Sequence, residues 1–263
     1  YPLRRQRQMC IRDRYRAAAL AGISTQFAWG TLSIILFKAF YESSPENFPM
    51  GFSAFVSYIW MQQAFLAFFA MWSFESDITD SIVSGSIVYQ MSKPINIYNL
   101  WFARSVALRL ARGLLRCFPI LIIASILPQP YRLMMPDFFT FFVFIASMIL
   151  GLCTAAAFTC LIYVLCFFTV SPRGLQIVFL SASEMLMGQI IPIPFFPEAI
   201  KKVLEFSPFT GIQNIPLRIF SYDILPADAG RKIILQVFWL FVLFALGKII
   251  AKAAEEKLVV QGG

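Results

Sequence analysis

The sequence predicts an all-α membrane protein with six transmembrane helices, and three observations support this fold class. The chain is 59% hydrophobic and only 14% charged, whereas a soluble domain is roughly 25% charged. Its apolar residues form runs of about 20, the length that a helix needs to cross the hydrocarbon core. Its Lys and Arg residues are distributed unevenly between these runs, which indicates an orientation in the membrane.

Six apolar runs are the predicted spans. In chain order they cover residues 18–40, 52–74, 114–127 (with 106–112 as a basic approach), 138–170, 174–191 and 233–250. The fourth run is ambiguous, because it carries no charge and would form a helix of about 50 Å. Since the hydrocarbon core is about 30 Å thick, this run fits either one long tilted helix or two short ones.

The placement of Lys and Arg decides between these alternatives. With one fourth helix and a cytoplasmic N-terminus, the inside segments hold more Lys and Arg than the outside segments. The short outside loop 41–50 contains Glu but neither Lys nor Arg. Two helices would instead place Lys248, Lys252 and Lys257 outside, against the positive-inside rule. We therefore predict six helices with both ends of the chain in the cytoplasm.

Residues 75–112 form a predicted cytoplasmic segment that is too long to be a simple turn. Asp77 and Asp80 suit a first helical turn, where negative charge is favoured. Three isoleucines fall near one side of a short helix, namely Ile78, Ile82 and Ile87. Gly85 either permits a close backbone contact or ends this helix. Such an amphipathic helix docks a partner protein or lies on lipid, and composition supports both equally.

Four arginines follow this segment, and their spacing keeps most of them on one helical face. They are Arg104, Arg109, Arg112 and Arg116. A cytoplasmic anchor that meets anionic lipid explains them simply. A sharper hypothesis is a basic mouth that leads an anionic or amphipathic substrate into a vestibule.

Glu184 lies inside the fifth predicted span, with Ser181, Ser183 and Gln189 nearby. An intramembrane carboxylate is costly and is by default a candidate functional residue. One interpretation is that Glu184 takes part directly in transport. The other is that it faces a helix interface, where it is hydrogen-bonded or protonated.

The stretch 188–216 contains five prolines, although it follows an apolar run and should remain at membrane depth. Because proline breaks helices, this backbone is irregular, and it must be buried in protein or line a cavity. Residues 198–206 form a predicted amphipathic helix that starts near Pro197 and is ended by Ser207 and Pro208. The external segment 192–232 is therefore a re-entrant or interface-lying hairpin that gates a pore, or a passive surface helix.

Catalytic and metal-binding signatures are absent from the sequence. The chain has no His, which removes the commonest general base and metal ligand. It has no phosphate loop of the GxxxxGK[ST] type, no GxSxG and no HExxH. Its five Cys form no CxxC pair and are interpreted as small buried hydrophobic residues. We expect no enzyme, no metal or cofactor on this chain and no nucleic acid partner, and a membrane enzyme for lipid or isoprenoid groups is disfavoured.

The first fourteen residues, YPLRRQRQMCIRDR, resemble translated sequencing-adapter sequence. We expect residues 1–14 to be a non-native artefact rather than a native basic arm, and we leave them out of the fold prediction. Residues 15–257 are predicted to form a single transmembrane domain. Residues 258–263 are the C-terminal tail.

Three stretches resemble the permease subunit of ABC-2 type transporters. They are 15–30 (YRAAALAGISTQFAWG), 77–96 (DITDSIVSGSIVYQMSKPIN) and 188–209 (GQIIPIPFFPEAIKKVLEFSPF). The second is similar to the family's coupling region and the third to its segment after helix five. The resemblance implies the type V exporter-like fold, with a cytoplasmic coupling helix between helices two and three and external re-entrant helices between five and six. Family members usually begin with an interfacial helix, and here residues 1–14 occupy those positions.

The resemblance assigns two groups of residues, and the charged and polar positions above supply a third. ATPase coupling falls on Asp77, Ile78, Asp80, Ile82, Gly85, Val88, Met91 and Pro94. The external gate falls on Pro192, Pro194, Phe196, Pro197, Leu204, Pro208 and Phe209. Pathway candidates are Glu184, Gln189, Arg109, Arg112 and Arg116.

The implied function is ATP-driven export across the cytoplasmic membrane of a bacterium. The resemblance implies two copies of an ATPase subunit that binds ATP and Mg²⁺, and a second permease chain, with a heterodimer favoured over a homodimer. A basic mouth and a lipid-facing cap suit an amphipathic drug, peptide, lipid or glycan. The alternative is a stand-alone secondary transporter or channel that uses Glu184 as its ion or proton site.

Overall fold

The computed structural model of this chain describes the backbone of residues 2–91, 94–169 and 171–257, and the side chains of 20–90, 94–169 and 171–255. Within these ranges the protein is all-helical and contains no strand, as predicted. Its α-helices are α1 (Pro2–Ser43), α2 (Phe52–Ala64), α3 (Leu66–Phe69), α4 (Ser76–Val83), α5 (Val88–Met91), α6 (Ile97–Ile126), α7 (Phe138–Leu165), α8 (Pro172–Leu186), α9 (Glu198–Phe206), α10 (Pro208–Ile212), α11 (Asn214–Phe220) and α12 (Pro226–Lys257). The side chain of Met91 and the tail 258–263 lie outside the described residues, as do the side chains of 1–14.

Three helical stretches in the described part of the chain are long and apolar enough to cross a membrane. They are Leu20–Ser43 in α1, Phe138–Phe168 and Pro226–Glu255 in α12, which correspond to the first, fourth and sixth predicted runs. The fourth run is one continuous helix, α7, extended by the 3₁₀ turn Cys166–Phe168. The single-helix interpretation of that run is therefore confirmed.

The prediction of one helix over residues 52–74 is wrong. Helix α2 ends at Ala64, the short helix α3 ends at Phe69, and the chain is then non-helical as far as Glu75. The side chain of Arg109 provides the physical reason. It donates to the carbonyl oxygens of Phe68 at 3.0 Å and Ala70 at 2.7 Å, so the chain can leave the helix without orphaned acceptors.

The third and fifth predicted runs have different bounds in the structure. Helix α6 begins at Ile97, so the basic approach and the apolar run form one helix. Helix α8 begins after Ser171, whose hydroxyl accepts from the amide of Gly174 at 3.2 Å, an N-cap followed by proline. It ends before residue 191, because Gly188 adopts a φ of +78° and turns the chain.

The chain forms two compact units. The first contains Tyr1–Leu66 and Gly113–Met134, and aromatic packing joins its helices. The rings of Phe27 and Trp60 stack at 5.0 Å. The indole of Trp60 donates to the carbonyl of Tyr131 at 3.0 Å.

The second unit contains Ala67–Arg112 and Met135–Gly263, and α7 is its central helix. Of the most apolar window of α7, 56% is buried, against 17% for that of α12. Helices α10, α11 and α12 all pack on α7. All the site residues described below, except Arg116, belong to this unit.

Candidate functional site

The α4–α5 segment (residues 76–91) is the part of the structure that corresponds to the predicted docking helix. It consists of two short helices because Gly85 ends the first of them, with a φ of +73°. The amide of Gly85 donates to the carbonyl of Ile82, and the amide of Ile87 to that of Ser81 at 3.0 Å. A Cβ on Gly85 would meet nothing within 4 Å. Glycine is therefore needed here for its left-handed backbone, and no close contact depends on it.

The apolar side of the α4–α5 segment packs into the protein's own core. Ile78 and Ile87 are fully buried, and Ile82 packs against the same cluster from its edge. This cluster includes Tyr98 and Trp101 of α6, and it also contains Cys160, Tyr163, Val164, Ala251 and Ala254. Ile78 and Ile87 are thus unavailable to either a partner or lipid, and Ile82 is only partly accessible.

The opposite side of the segment is exposed, and we call it the outer face: Asp77, Asp80, Val83 and Tyr89. Val83 is 66% exposed and Tyr89 is 79% exposed. Both carboxylates are exposed as well. Gly85 and Pro94 are exposed, and Val88 is half-buried. The outer face combines negative charge with two apolar side chains, a surface suited to a protein partner.

Four polar contacts connect the start of α4 to the neighbouring helices. Arg104 of α6 forms ion pairs with Glu75 and, at 3.5 Å, with Asp77. The backbone amide of Glu75 donates to the hydroxyl of Tyr163 in α7 at 2.7 Å. The side-chain amide of Gln176 in α8 donates to the hydroxyl of Thr79 at 2.9 Å. Burial raises the pKa of Glu75, and the positive charge of Arg104 opposes this shift. A force applied to α4 would therefore reach α6, α7 and α8.

Arg109 is buried and separate from the other arginines. Besides the two carbonyls of Phe68 and Ala70, it donates to the hydroxyl of Thr159 in α7 at 2.7 Å. It is 1% exposed, whereas Arg112 and Arg116 are exposed. The predicted basic mouth thus consists at most of the exposed arginines, while Arg109 connects α3 and α6 to α7.

Glu184 and Gln189 lie at the end of α8, and neither is in mid-span. Glu184 is in the last turn, and its carbonyl accepts from the amide of Gln189 at 3.0 Å. Both side chains are half-buried. Of α8, which the structure describes in full, Ser183 is the buried residue. Part of the surface of α8 is therefore exposed in this chain, and the half-buried carboxylate of Glu184 is partly accessible.

The proline-rich segment 192–225 contains the predicted gate residues. Pro192 precedes the 3₁₀ turn Ile193–Phe195 and Pro194 lies inside it, and both side chains are buried. Pro197 is exposed. Helix α9 begins after Pro197 and ends before Ser207, so its predicted bounds are confirmed. Leu204 is buried, and three gate residues are half-buried: Phe196, Pro208 and Phe209.

The break between α10 and α11 is enclosed by protein. Every residue in 210–217 is buried. The carbonyl of Gly211 accepts from the side-chain amide of Gln236 at 2.7 Å, and Gln236 also bonds to Ser147 of α7. The carbonyl of Ile212 lies so close to Gly151 that a Cβ at this position would clash with the oxygen. The backbone at this depth in α7 therefore meets the requirement for irregular structure in a membrane.

A group of charged side chains that the sequence did not indicate joins α9 to two other helices. Arg218 of α11 pairs with Glu205 of α9 at 2.8 Å and with Asp223, and Lys232 of α12 pairs with Glu205 at 3.2 Å. We call these four residues the charge cluster. Its members come from α9, α11, the turn after α11 and α12, so the sequence shows them only as alternating opposite charges between residues 205 and 232.

The N-terminus of α7 is bonded to the end of the proline-rich segment. Asp137 accepts hydrogen bonds from the amides of Phe139 and Thr140, both at 3.1 Å, and from the hydroxyls of Thr140 and Tyr222. The hydroxyls of Thr140 and Tyr222 are the main reason that the pKa of Asp137 falls to about 2. Tyr222 has a φ of +60°, unusual for a residue of its size.

The α4–α5 segment and the proline-rich segment both pack on α7. The first contacts the C-terminal end of α7, in the buried cluster that contains Cys160, Tyr163 and Val164. The second contacts α7 at Phe144, Gly151 and Phe158. Among the described residues no group of His, Cys, Asp or Glu is arranged to hold a metal ion. Comparisons with protein-family models, curated proteins and solved structures found no match.

Proposed function

We propose that this chain is the membrane subunit of an ATP-driven exporter of the ABC-2 type. It moves a drug, peptide, lipid or glycan across the cytoplasmic membrane of a bacterium, together with two copies of a separate ATPase and a second permease chain. One observation supports the proposal: the α4–α5 segment and the proline-rich segment both pack on α7, a helix long and apolar enough to span a membrane. In this proposal α2–α3, α6 and α8 complete six passes, and both chain ends are cytoplasmic.

The outer face of the α4–α5 segment is the proposed ATPase contact. Its buried isoleucines fix the segment to α6, α7 and α12, and the ties from Glu75 and Thr79 add α6, α7 and α8. ATP-driven closure of the ATPase subunits would push on this face. Because the segment is anchored to four long helices, it would tilt them rather than move alone.

The partly exposed helix α8 supports a second permease chain. Its exposed residues include Ile177, Val178 and Met185, which suit lipid or protein equally. Ser181 and Glu184 do not suit lipid, because polar groups in hydrocarbon are costly. A facing permease chain would cover α8 and place Glu184 at the pathway between the two chains.

Two exposed valines provide a matched test of the docking assignment. Val83 on the outer face is 66% exposed and Val203 on α9 is 71% exposed, so aspartate at either position should leave the fold intact. We expect Val83→Asp to lower the amount of co-purifying ATPase about tenfold, the loss expected when a charge enters the apolar part of an interface. Val203→Asp should leave it unchanged.

The same experiment includes the outcome that would reject the docking assignment. If Val83→Asp retains the wild-type amount of ATPase and the wild-type coupling of ATP hydrolysis to transport, the outer face is not the contact. This test improves on charged substitution of Ile82 or Gly85. Ile82 packs on the core and Gly85 has a left-handed backbone, so changes there would disturb the fold itself.

A further inference from the structure

Helix α9 buries little of its surface. The structure describes all of α9, and Leu204 is its buried residue. Its apolar side chains Ile200, Val203 and Phe206 are exposed. A nine-residue helix is too short to be stable by itself. Its position must therefore depend on specific contacts, and these are concentrated in its last turn.

The last turn of α9 is tied to two other helices. Glu205 accepts from Arg218 of α11 at 2.8 Å through one carboxylate oxygen, and from Lys232 of α12 at 3.2 Å through the other. The next residue, Phe206, accepts at its carbonyl from the indole of Trp239 in α12 at 2.7 Å. Both oxygens of Glu205 are thus occupied by cations on different helices.

Partial burial strengthens these ties. The side chains of Glu205, Arg218 and Lys232 are 26%, 12% and 28% exposed, so salt screens them less than surface pairs. Burial alone would raise the pKa of Glu205, but the hydrogen bond from Arg218 and the charge of Lys232 lower it. Glu205 is therefore ionised at neutral pH, and its bonds to both cations are charge-assisted.

The first turn of α9 has no comparable connection. Glu198 pairs with Lys201 at 3.2 Å inside the same helix, and its side chain is 74% exposed. The chain before it is fixed farther back, where Pro192, Ile193 and Pro194 are buried. Helix α9 is thus held at two places: by the buried residues 192–194 that precede it, and by the contacts of Glu205 in its last turn.

We propose that Glu205 is a latch, a positioning residue that holds α9 against α11 and α12 and whose release lets α9 move as a unit. Opening the latch requires Arg218 and Lys232 to separate from Glu205, which happens if α11 and α12 both shift away from the end of α9. The interpretation of this movement as the opening of a gate rests on the proposed function. The latch itself is a property of this chain.

Hydrogen exchange on the purified full-length chain tests the latch. In Glu205→Gln we expect the amides of residues 198–206 to exchange about tenfold faster, because the bonds to Arg218 and Lys232 both lose the negative charge that strengthens them. Exchange in α7 and α12 should not change. Glu198→Gln is the matched control, because it makes the same charge change on the same helix and should leave exchange at the wild-type rate.

A second variant guards against misfolding and measures coupling. Lys232→Gln leaves the Arg218 pair intact, so it should accelerate exchange in α9 by a smaller factor. Because both changes break one connection, the double variant should exchange more slowly than the product of the single effects predicts.

Two results would overturn the latch. One is an unchanged exchange rate in α9 in both Glu205→Gln and Lys232→Gln. The other is an equal acceleration in α7 and α12, which would mean general loss of structure. The measurement needs no ATPase, so a failure of the exporter proposal would leave its outcome intact and the two failures can be told apart.

Discussion

At the scale of single residues, two side chains and one glycine explain how irregular backbone survives inside this protein. Arg109 occupies the carbonyls where α3 ends, and Gln236 occupies the carbonyl of Gly211 where α10 ends. Gly151 lets the carbonyl of Ile212 approach α7. Each supplies what a broken helix lacks, either a hydrogen-bond donor or the space for close contact.

Replacing Gly151 tests the close contact. A Cβ at this position would clash with the backbone oxygen of Ile212, so we expect Gly151→Ala to destabilise the protein by about 2–3 kcal/mol. Gly230→Ala in α12 is the control, since nothing lies within 4 Å of its Cβ, and alanine there should be neutral or stabilising. Thermal unfolding in detergent measures both. Equal midpoints for the two variants would refute the packing of α10 on α7.

Replacing Arg109 by lysine tests the buried arginine. Lysine keeps the charge, but its single ammonium cannot reach both carbonyls and the hydroxyl of Thr159 in the same planar arrangement. We expect a loss of about 2–4 kcal/mol, because buried groups become unsatisfied. Arg112→Lys, at an exposed position one turn away, should change stability by less than about 0.5 kcal/mol. Similar unfolding midpoints in the two variants would argue against this role.

The depressed pKa of Asp137 predicts a specific pH dependence. Because the folded-state pKa is about 2, below the ordinary 3.8, the group adds stability that is present above the ordinary value. That stability is lost as the pH falls from about 4 towards 2. In Asp137→Asn the midpoint of thermal unfolding should depend less on pH over this interval than in the wild type. Asp228→Asn, at an exposed position, should leave the pH dependence of the wild type unchanged. Identical pH profiles for wild type and Asp137→Asn would contradict the assignment.

At the scale of elements, the sequence predicted what local chemistry determines. The bounds of α9 follow from Pro197 and from Ser207 with Pro208, and the single helix α7 follows from an uninterrupted apolar run. The prediction of one helix over the second run was wrong because hydropathy cannot show that Arg109, about forty residues later, bonds the carbonyls of Phe68 and Ala70. The charge cluster was missed for the same reason, since its members meet only after α9, α11 and α12 have packed.

The placement of the two exposed valines predicts a topology. If the α4–α5 segment is cytoplasmic and α9 is external, a cysteine at position 203 should react with a membrane-impermeant maleimide in intact cells. A cysteine at position 83 should react only after the membrane is permeabilised. The native cysteines would be replaced first, and Cys117, Cys160 and Cys166 are buried. Labelling of both positions from the same side would exclude the proposed arrangement.

At the scale of the whole molecule, three helices in the part of the chain that the structure describes are long and apolar enough to cross a membrane. The α4–α5 segment and the proline-rich segment both pack on one of them, α7, and the proposed transport subunit rests on this arrangement. In the proposed exporter a separate ATPase subunit supplies the energy. The second candidate is a secondary transporter. It would be driven by an ion or proton gradient, with Glu184 as the ion or proton site, and would need no partner.

The most direct test is the nucleotide dependence of transport by the purified complex. We predict that the chain purifies with a phosphate-loop ATPase and that transport in reconstituted vesicles requires ATP and proceeds without an ion gradient. In that case Glu184→Gln should retain ATP dependence. Transport by the chain alone that follows an ion gradient and disappears in Glu184→Gln would contradict the central claim.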